Sequence, residues 1–226
     1  MTESPDEWTL EPPDERALES PYERALGARR SRLHPVLQRY FAAVPAGSVG
    51  IGEGVFECFG TRHRWLWPAL AVLGRAHVIA PGMHRQVPFR VENRTVDGEQ
   101  TATRTLDLGG RSWSMRDAVH LGRGGRVVDV LGRPALVEAS FDVAVTKDHL
   151  SLSSAEVILR LGRLRLPVPG PLRPGIRLSE RFDDGEERQR IELTVDMPVL
   201  GRVYEYRGWF TYEIRPEAGT SDHGHR

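Results

Sequence analysis

The sequence predicts an α+β protein, mainly β. About ten antiparallel strands form a curved sheet or barrel, with N-terminal helices and one helix, at about 62–74, inserted after the first strand. Three observations carry this. From Gly50 onward apolar residues recur at every second position, as they do when a strand buries one face and wets the other. Strand-length runs are separated by turn-forming clusters at the spacing of a sandwich or barrel. Helical periodicity is confined to the front of the chain and to one run after the first strand. At 226 residues, 39% hydrophobic and 27% charged, the chain is long enough for a sizeable core. No repeat or linker interrupts 20–215, so one domain is expected there. Disordered tails are expected at 1–17 and 216–226.

The elements follow in order. Ser20-Pro21-Tyr22-Glu23 is a helix start: serine caps free N–H groups, proline suits the first turn and Glu23 completes a capping box. Tyr22, Leu26 and Leu33 trace an apolar stripe; Pro35 ends or kinks it; Val36, Leu37, Tyr40 and Phe41 give a second face. Helical structure is therefore expected over about 20–43. In IGEGVFECF one strand face holds Ile51, Glu53, Val55, Glu57 and Phe59, and the other holds glycines, Phe56 and Cys58.

TRHRWLWPALAVLG (61–74) follows. Its uncharged run, 65–74, spans roughly 15 Å as a helix, half of a bilayer core, so no helical membrane span is expected. Pro68 fits a first turn, which sets the helix start near Leu66 or Trp67. Trp65, Leu66, Ala69, Leu70 and Leu73 are expected to face inward, with Arg62 and Arg64 in solvent.

Alternation then marks a segment through Val87, Phe89 and Val91, and strands at 101–108, 111–120 (Trp113, Met115 and Val119 on one side) and 126–131. The clearest is 135–145, with Val137, Ala139, Phe141 and Val143 on one face and Glu138, Ser140 and Asp142 on the other. A turn at Lys147-Asp148-His149 leads into a strand at 149–161. Proline-rich 166–175 is an edge or crossing loop. Strands at 176–182, 188–197 and 202–214 complete the set, the last two joined through Pro198–Gly201.

Basic and acidic residues balance at 31 each, which argues against nucleic acid as a partner. Lys147 is the one lysine, so arginine is common everywhere and marks nothing by type. Cys58, the single cysteine, excludes an internal disulfide and reads as a small buried side chain. The acidic N-terminus lacks an apolar signal core, so cytoplasmic residence is expected.

Gly50, Gly52 and Gly54 miss the dinucleotide fingerprint, with Val55 where its next glycine would stand. They read as residues that let a strand bend or a barrel close. There is no nucleophile-elbow motif, the histidines are scattered, and no metal or cofactor is implied. Glu53 and Glu57 lie about 13 Å apart on one strand face, too far for paired acid–base work, and read as partners of arginines. Glu180 follows Ile176 and Leu178 at period two, and Glu205 and Arg207 share a face with Val203 and Trp209. Each set is either a buried network or the polar contact of a ligand pocket. Tyr204, Tyr206, Phe210 and Tyr212 fall on one face of the last strand, as core filling or as a pocket wall.

SPYERALG, LHPVLQRYF, GIGEGVF and the closing PVLGRVYEYRGWF resemble the bacterial family called domain of unknown function 4166, over about 20–214. Where that family commonly shows Trp-x-Arg-x-Phe, this chain reads Ala102-Thr103-Arg104-Thr105-Leu106, keeping the arginine and losing both aromatics. The resemblance implies a module of unassigned activity, alone or fused behind a saccharopine-dehydrogenase-like reductase.

Three functions compete. In the first, a non-enzymatic module binds an apolar or lipid-like small molecule in a β cup. Its candidate contacts are Trp65, Leu70, Leu73, Phe89, Arg104, Trp113, Phe141, Glu180, Tyr204 and Tyr206. In the second, a regulatory domain docks onto a reductase through its tryptophan helix. In the third, an enzyme gathers titratable groups around Glu180, Arg104 and Tyr206. A deep apolar cavity favours the first, a solid core the second.

Overall fold

The structure, a computed structural model, describes residues 19–217. The tail expected at 1–17 lies outside the described residues, as does the second tail from 218 onward. Pro216, expected in that tail, still pairs with Ser48.

The chain opens with α1 (Pro21–Leu26), a 3₁₀ segment (Gly27–Arg32) and α2 (Pro35–Tyr40). Ser20 caps α1 with a complete capping box: Glu23 N–H donates to Ser20 Oγ at 3.1 Å, and Ser20 N–H to Glu23 Oε2 at 2.9 Å. The strands follow: β1 (Ser48–Gly60), β2 (Met83–Val96), β3 (Glu99–Asp107), β4 (Ser112–Leu121), β5 (Val127–Leu131) and β6 (Val137–Thr146). Next come β7 (His149–Leu161), β8 (Leu164–Pro167), β9 (Gly175–Asp183), β10 (Arg188–Met197) and β11 (Gly201–Pro216). A 3₁₀ turn, Arg64–Leu66, and α3 (Trp67–Arg75) separate β1 from β2, with Pro68 in the first turn.

Ten strands close into an antiparallel barrel in the order β6-β5-β4-β3-β2-β1-β11-β10-β9-β7, and β7 returns to β6. β8 stays outside this ring. It pairs with the far half of β7 (Ile158–Leu161), and β9 pairs with the near half (Leu150–Ser153). At the fork Ser154 Oγ donates to Pro174 O and accepts from Ile176 N–H, bridging the strands where backbone pairing lapses. The proline-rich segment is thus peripheral, as its missing donors require.

Short turns set the register. β2 and β3 join through Asp97-Gly98 alone, both at positive φ (51° and 73°), the backbone of a type I′ hairpin.

In β1 the simple alternation fails at one point. A bulge at Glu57 shifts the pairing between Phe56 and Cys58, so Phe56 and Phe59 are both buried, their rings 5.2 Å apart. The face assigned to Phe59 from period two alone is therefore corrected. Cys58 is buried, and burial pushes its thiol up, which fits an inert side chain. Gly54 and Gly208 lie where β1 and β11 come closest, and a Cβ on either would strike the backbone opposite. Glu53 and Glu57 lie outside, bonded to Arg90 and Arg190.

Strand direction gives the barrel two unlike ends. At one end lie the β2–β3, β6–β7 and β9–β10 turns with α1 and α2. There His34 N–H donates to Asp148 O, the His34 ring stacks on Phe182, and Arg29 Nη1 donates to Val143 O. At the other end α3 and residues 76–80 cross from β4 to β11. Trp113 Nε1 donates to Gly74 O, Arg133 N–H to Ala76 O and Tyr204 Oη to Ala80 O. Leu66, at the end of the 3₁₀ turn, and Leu70, Leu73 and Gly74 on α3 face inward. Trp65 and Ala69, expected there, are exposed, because the 3₁₀ turn rotates Trp65 away before α3 begins.

Candidate functional site

The barrel is not filled. A cavity of about 410 Å³ lies along its axis, within the roughly 300–1,000 Å³ usual for ligand pockets. Tyr22, Tyr40 and Phe41 close it at the α1–α2 end. Leu73, Val78 and Ile79 cover part of the opposite end. Leu159 and Leu172 line the cavity and are also exposed, at 44% and 62%, so it reaches the surface beside β7 and β8.

The wall is polar at depth and apolar toward this mouth. Arg104 on β3, Asp117 on β4 and Asp129 on β5 come from adjacent strands; Glu180 stands on β9, and Tyr206 on β11. Ala102 pairs with Asp117, and Val119 with Asp129, which sets the two carboxylates on neighbouring strands facing inward. Toward the mouth the lining is Leu131, Val137, Leu159, Ile176, Val195 and Met197, all apolar.

Arg104 Nη1 donates to Asp117 Oδ1, and Gln189 Nε2 to Glu180 Oε2. Burial pulls the Arg104 guanidinium down, but the Asp117 charge more than offsets this and holds it charged. Burial raises the Asp117 carboxyl against the pull of Arg104. Asp129 is raised well above the carboxylate range, by burial first and by the Asp117 charge second. Glu180 is pushed up to about 7 by burial, against its bond to Gln189 and the charge of Arg104. Burial also raises the Tyr206 phenol. Asp129 Oδ1 and Gln100 Oε1 have no hydrogen-bond partner. The site thus offers one fixed cation, carboxyls held partly or wholly neutral, and buried acceptors that lack donors.

Of the ten residues singled out from the sequence, the cavity gathers Leu73, Arg104, Phe141, Glu180, Tyr204 and Tyr206. Leu70 is buried beneath α3 away from the lining, and Phe89 stacks on Phe56 within the wall, their centroids 4.0 Å apart. Trp113 is held by Gly74, and Trp65 is 60% exposed. Sequence reasoning missed Asp117, Asp129 and the helix residues Tyr22 and Tyr40. Asp117 continues the alternation of Met115 and Val119, and Asp129 that of Val127 and Leu131. An acid at an apolar position, the criterion that marked Glu180, would have found both. Among the described residues no three His, Cys, Asp or Glu side chains gather as they would around a metal ion.

A family model described as a domain of unknown function (DUF4166) matches residues 33–210, well over half of the chain. The uncharacterized protein YndH of Bacillus subtilis (strain 168) is 28% identical over 139 residues, which cover 58% of this chain and 67% of that protein. No solved structure matches the chain.

Proposed function

The chain belongs to the DUF4166 family, and we propose that it acts as a non-enzymatic module that binds a lipid-like, amphiphilic small molecule inside the barrel. The observation that carries this reading is the cavity of about 410 Å³, with an apolar mouth and one polar cluster at depth. A solid core would have favoured docking onto a reductase instead.

The chemistry of the wall orients the ligand. An apolar tail would lie against Val137, Ile176 and Met197, each buried methylene contributing about 0.8 kcal/mol. The polar head would reach Arg104, Asp129, Glu180 and Gln100. The unpartnered Gln100 Oε1 calls for a hydrogen-bond donor, which a hydroxyl- or amine-bearing head supplies, and the raised Asp129 carboxyl can donate to such a head or accept from it.

Mass spectrometry of organic extracts from the purified chain tests the reading, together with titration by an environment-sensitive apolar dye. The expected result is a recurrent amphiphile released on denaturation and saturable dye uptake that the amphiphile reverses. Ile176→Trp, which places a larger side chain near the mouth, is expected to lower dye affinity at least tenfold with the thermal transition retained. Repeated extraction of nothing, with no dye uptake, would sink the proposal.

A further inference from the structure

The apolar residues left on the surface are not scattered. Eleven large hydrophobic side chains are exposed among the described residues, and ten belong to the α3 end of the barrel. Val96, the last residue of β2, is the exception. Val199, 90% exposed, and Leu200 form the β10–β11 turn. Leu161 and Leu164 flank the β7–β8 turn, Leu172 follows β8, Trp65 stands in the 3₁₀ turn before α3, and Trp67 and Val72 lie on the outer side of α3. Antiparallel closure brings these turns to one end, because β7, β10 and β1 all run toward it. The cavity opens at this end: Leu159 and Leu172 line it, as do Leu73 of α3 and Met197 just before the β10–β11 turn.

Charge divides the same way. The chain is neutral, yet no acidic residue occurs between Glu57 and Glu92 or between Glu156 and Glu180. Those two acid-free segments contain α3 and the β7–β8 hairpin. The hairpin reads Arg160-Leu161-Gly162-Arg163-Leu164-Arg165-Leu166, arginine interleaved with leucine. Four carboxylates, Asp107, Glu138, Asp196 and Glu205, stand near this end. Glu138 is bonded to Arg165 and lies 3.6 Å from Arg160; Asp196 and Glu205 meet Arg177, Arg202 and Arg62. Among the described residues Asp107 has no arginine partner, against Arg64, Arg75, Arg163 and Arg173 with no carboxylate partner, so the rim keeps a positive excess.

We propose that this end of the barrel docks on the surface of bilayers rich in anionic phospholipid, with Leu161, Leu164, Val199 and Trp65 entering the interface and the unpartnered arginines meeting phosphates. Leucine and tryptophan set among arginines is the composition of a surface that lies in a bilayer interface. The apolar groups sit on separate turns and on the outer side of a helix, a form that suits shallow insertion into a fluid layer better than one flat protein contact. Placement around the mouth would let a lipid-like ligand pass between bilayer and cavity without crossing water. This last consequence rests on the binding function proposed above; the docking itself does not.

Co-sedimentation of the full chain with vesicles tests the proposal. Vesicles of phosphatidylglycerol and phosphatidylcholine in equal parts are expected to bind the chain, and phosphatidylcholine alone to bind it far more weakly. Added salt is expected to release it. The pair Leu161→Glu and Leu164→Glu is expected to cut binding at least tenfold. The pair Arg163→Ser and Arg173→Ser should cut it about fivefold per arginine. The arginine pair lies on the surface and keeps the test decisive should the leucine pair fail to fold. Indifference to both vesicle types overturns the proposal. So does equal binding to both, or leucine variants that fold and bind as the parent does, which would make the rim a protein contact. A chain that takes up the apolar dye but ignores vesicles loses this inference and keeps the binding function. One that binds vesicles and never the dye does the reverse.

Discussion

Glu180 concentrates the chemistry of the site in a single side chain. It is 4% exposed, bonded to Gln189, and pushed from 4.5 to about 7. Below 4.5 it is protonated in both the folded and the unfolded chain. Between 4.5 and 7 only the folded chain keeps the proton, so this residue's contribution to stability falls as pH rises and levels off above 7. Asp117 and Asp129, also raised, act with the same sign. Glu180→Gln removes one share while leaving an oxygen for Gln189 to bond. Urea denaturation across this range is expected to show the variant gaining on the parent as pH rises, by up to about 3 kcal/mol above 7. A gap that stays constant with pH would mean Glu180 is charged in the folded chain. Glu180 was legible in the sequence because an acid interrupts an apolar alternation. Arg104 and Tyr206 were named with it, but that they converge was not legible, because Arg104 and Glu180 meet only when β3 and β9 face each other across a closed ring.

Among the elements, α1 shows how far local sequence reaches. Ser20-Pro21-Tyr22-Glu23 specifies a cap, and the cap is present with both reciprocal bonds. What the sequence could not show is that the same residues tie α1 to α2. Ser20 Oγ also donates to Phe41 O, and Glu23 Oε2 accepts from Ala43 N–H. Ser20 is fully buried, so Ser20→Ala leaves a helix end and a carbonyl unpartnered together. A loss of about 2 kcal/mol is expected in chemical denaturation. A loss within error of zero would show that neither bond matters. β1 marks the opposite limit. Its period-two pattern was legible, but the bulge at Glu57 depends on pairing with β11, far along the chain, so the side taken by Phe59 was not.

For the molecule as a whole, strand number and direction could be read from alternation and turn chemistry, whereas closure could not. Nearly every neighbouring pair in the ring joins strands that are consecutive or nearly so. The exception is β1 with β11, which completes the barrel and gives it an inside. A chain lacking residues 201–217 would leave β1 and β10 without their shared neighbour. It is expected to lose cooperative thermal unfolding and to bind apolar dye nonspecifically, checked by calorimetry and fluorescence. A sharp transition in that truncated chain would show that the ring is not the cooperative unit.

The same join sets a timetable for biosynthesis. β1 leaves the ribosome about 150 residues before its second partner does, and during that interval one of its edges stays open to any passing strand. The enclosed space that would hold a guest therefore comes into being only at the last step of assembly, all at once.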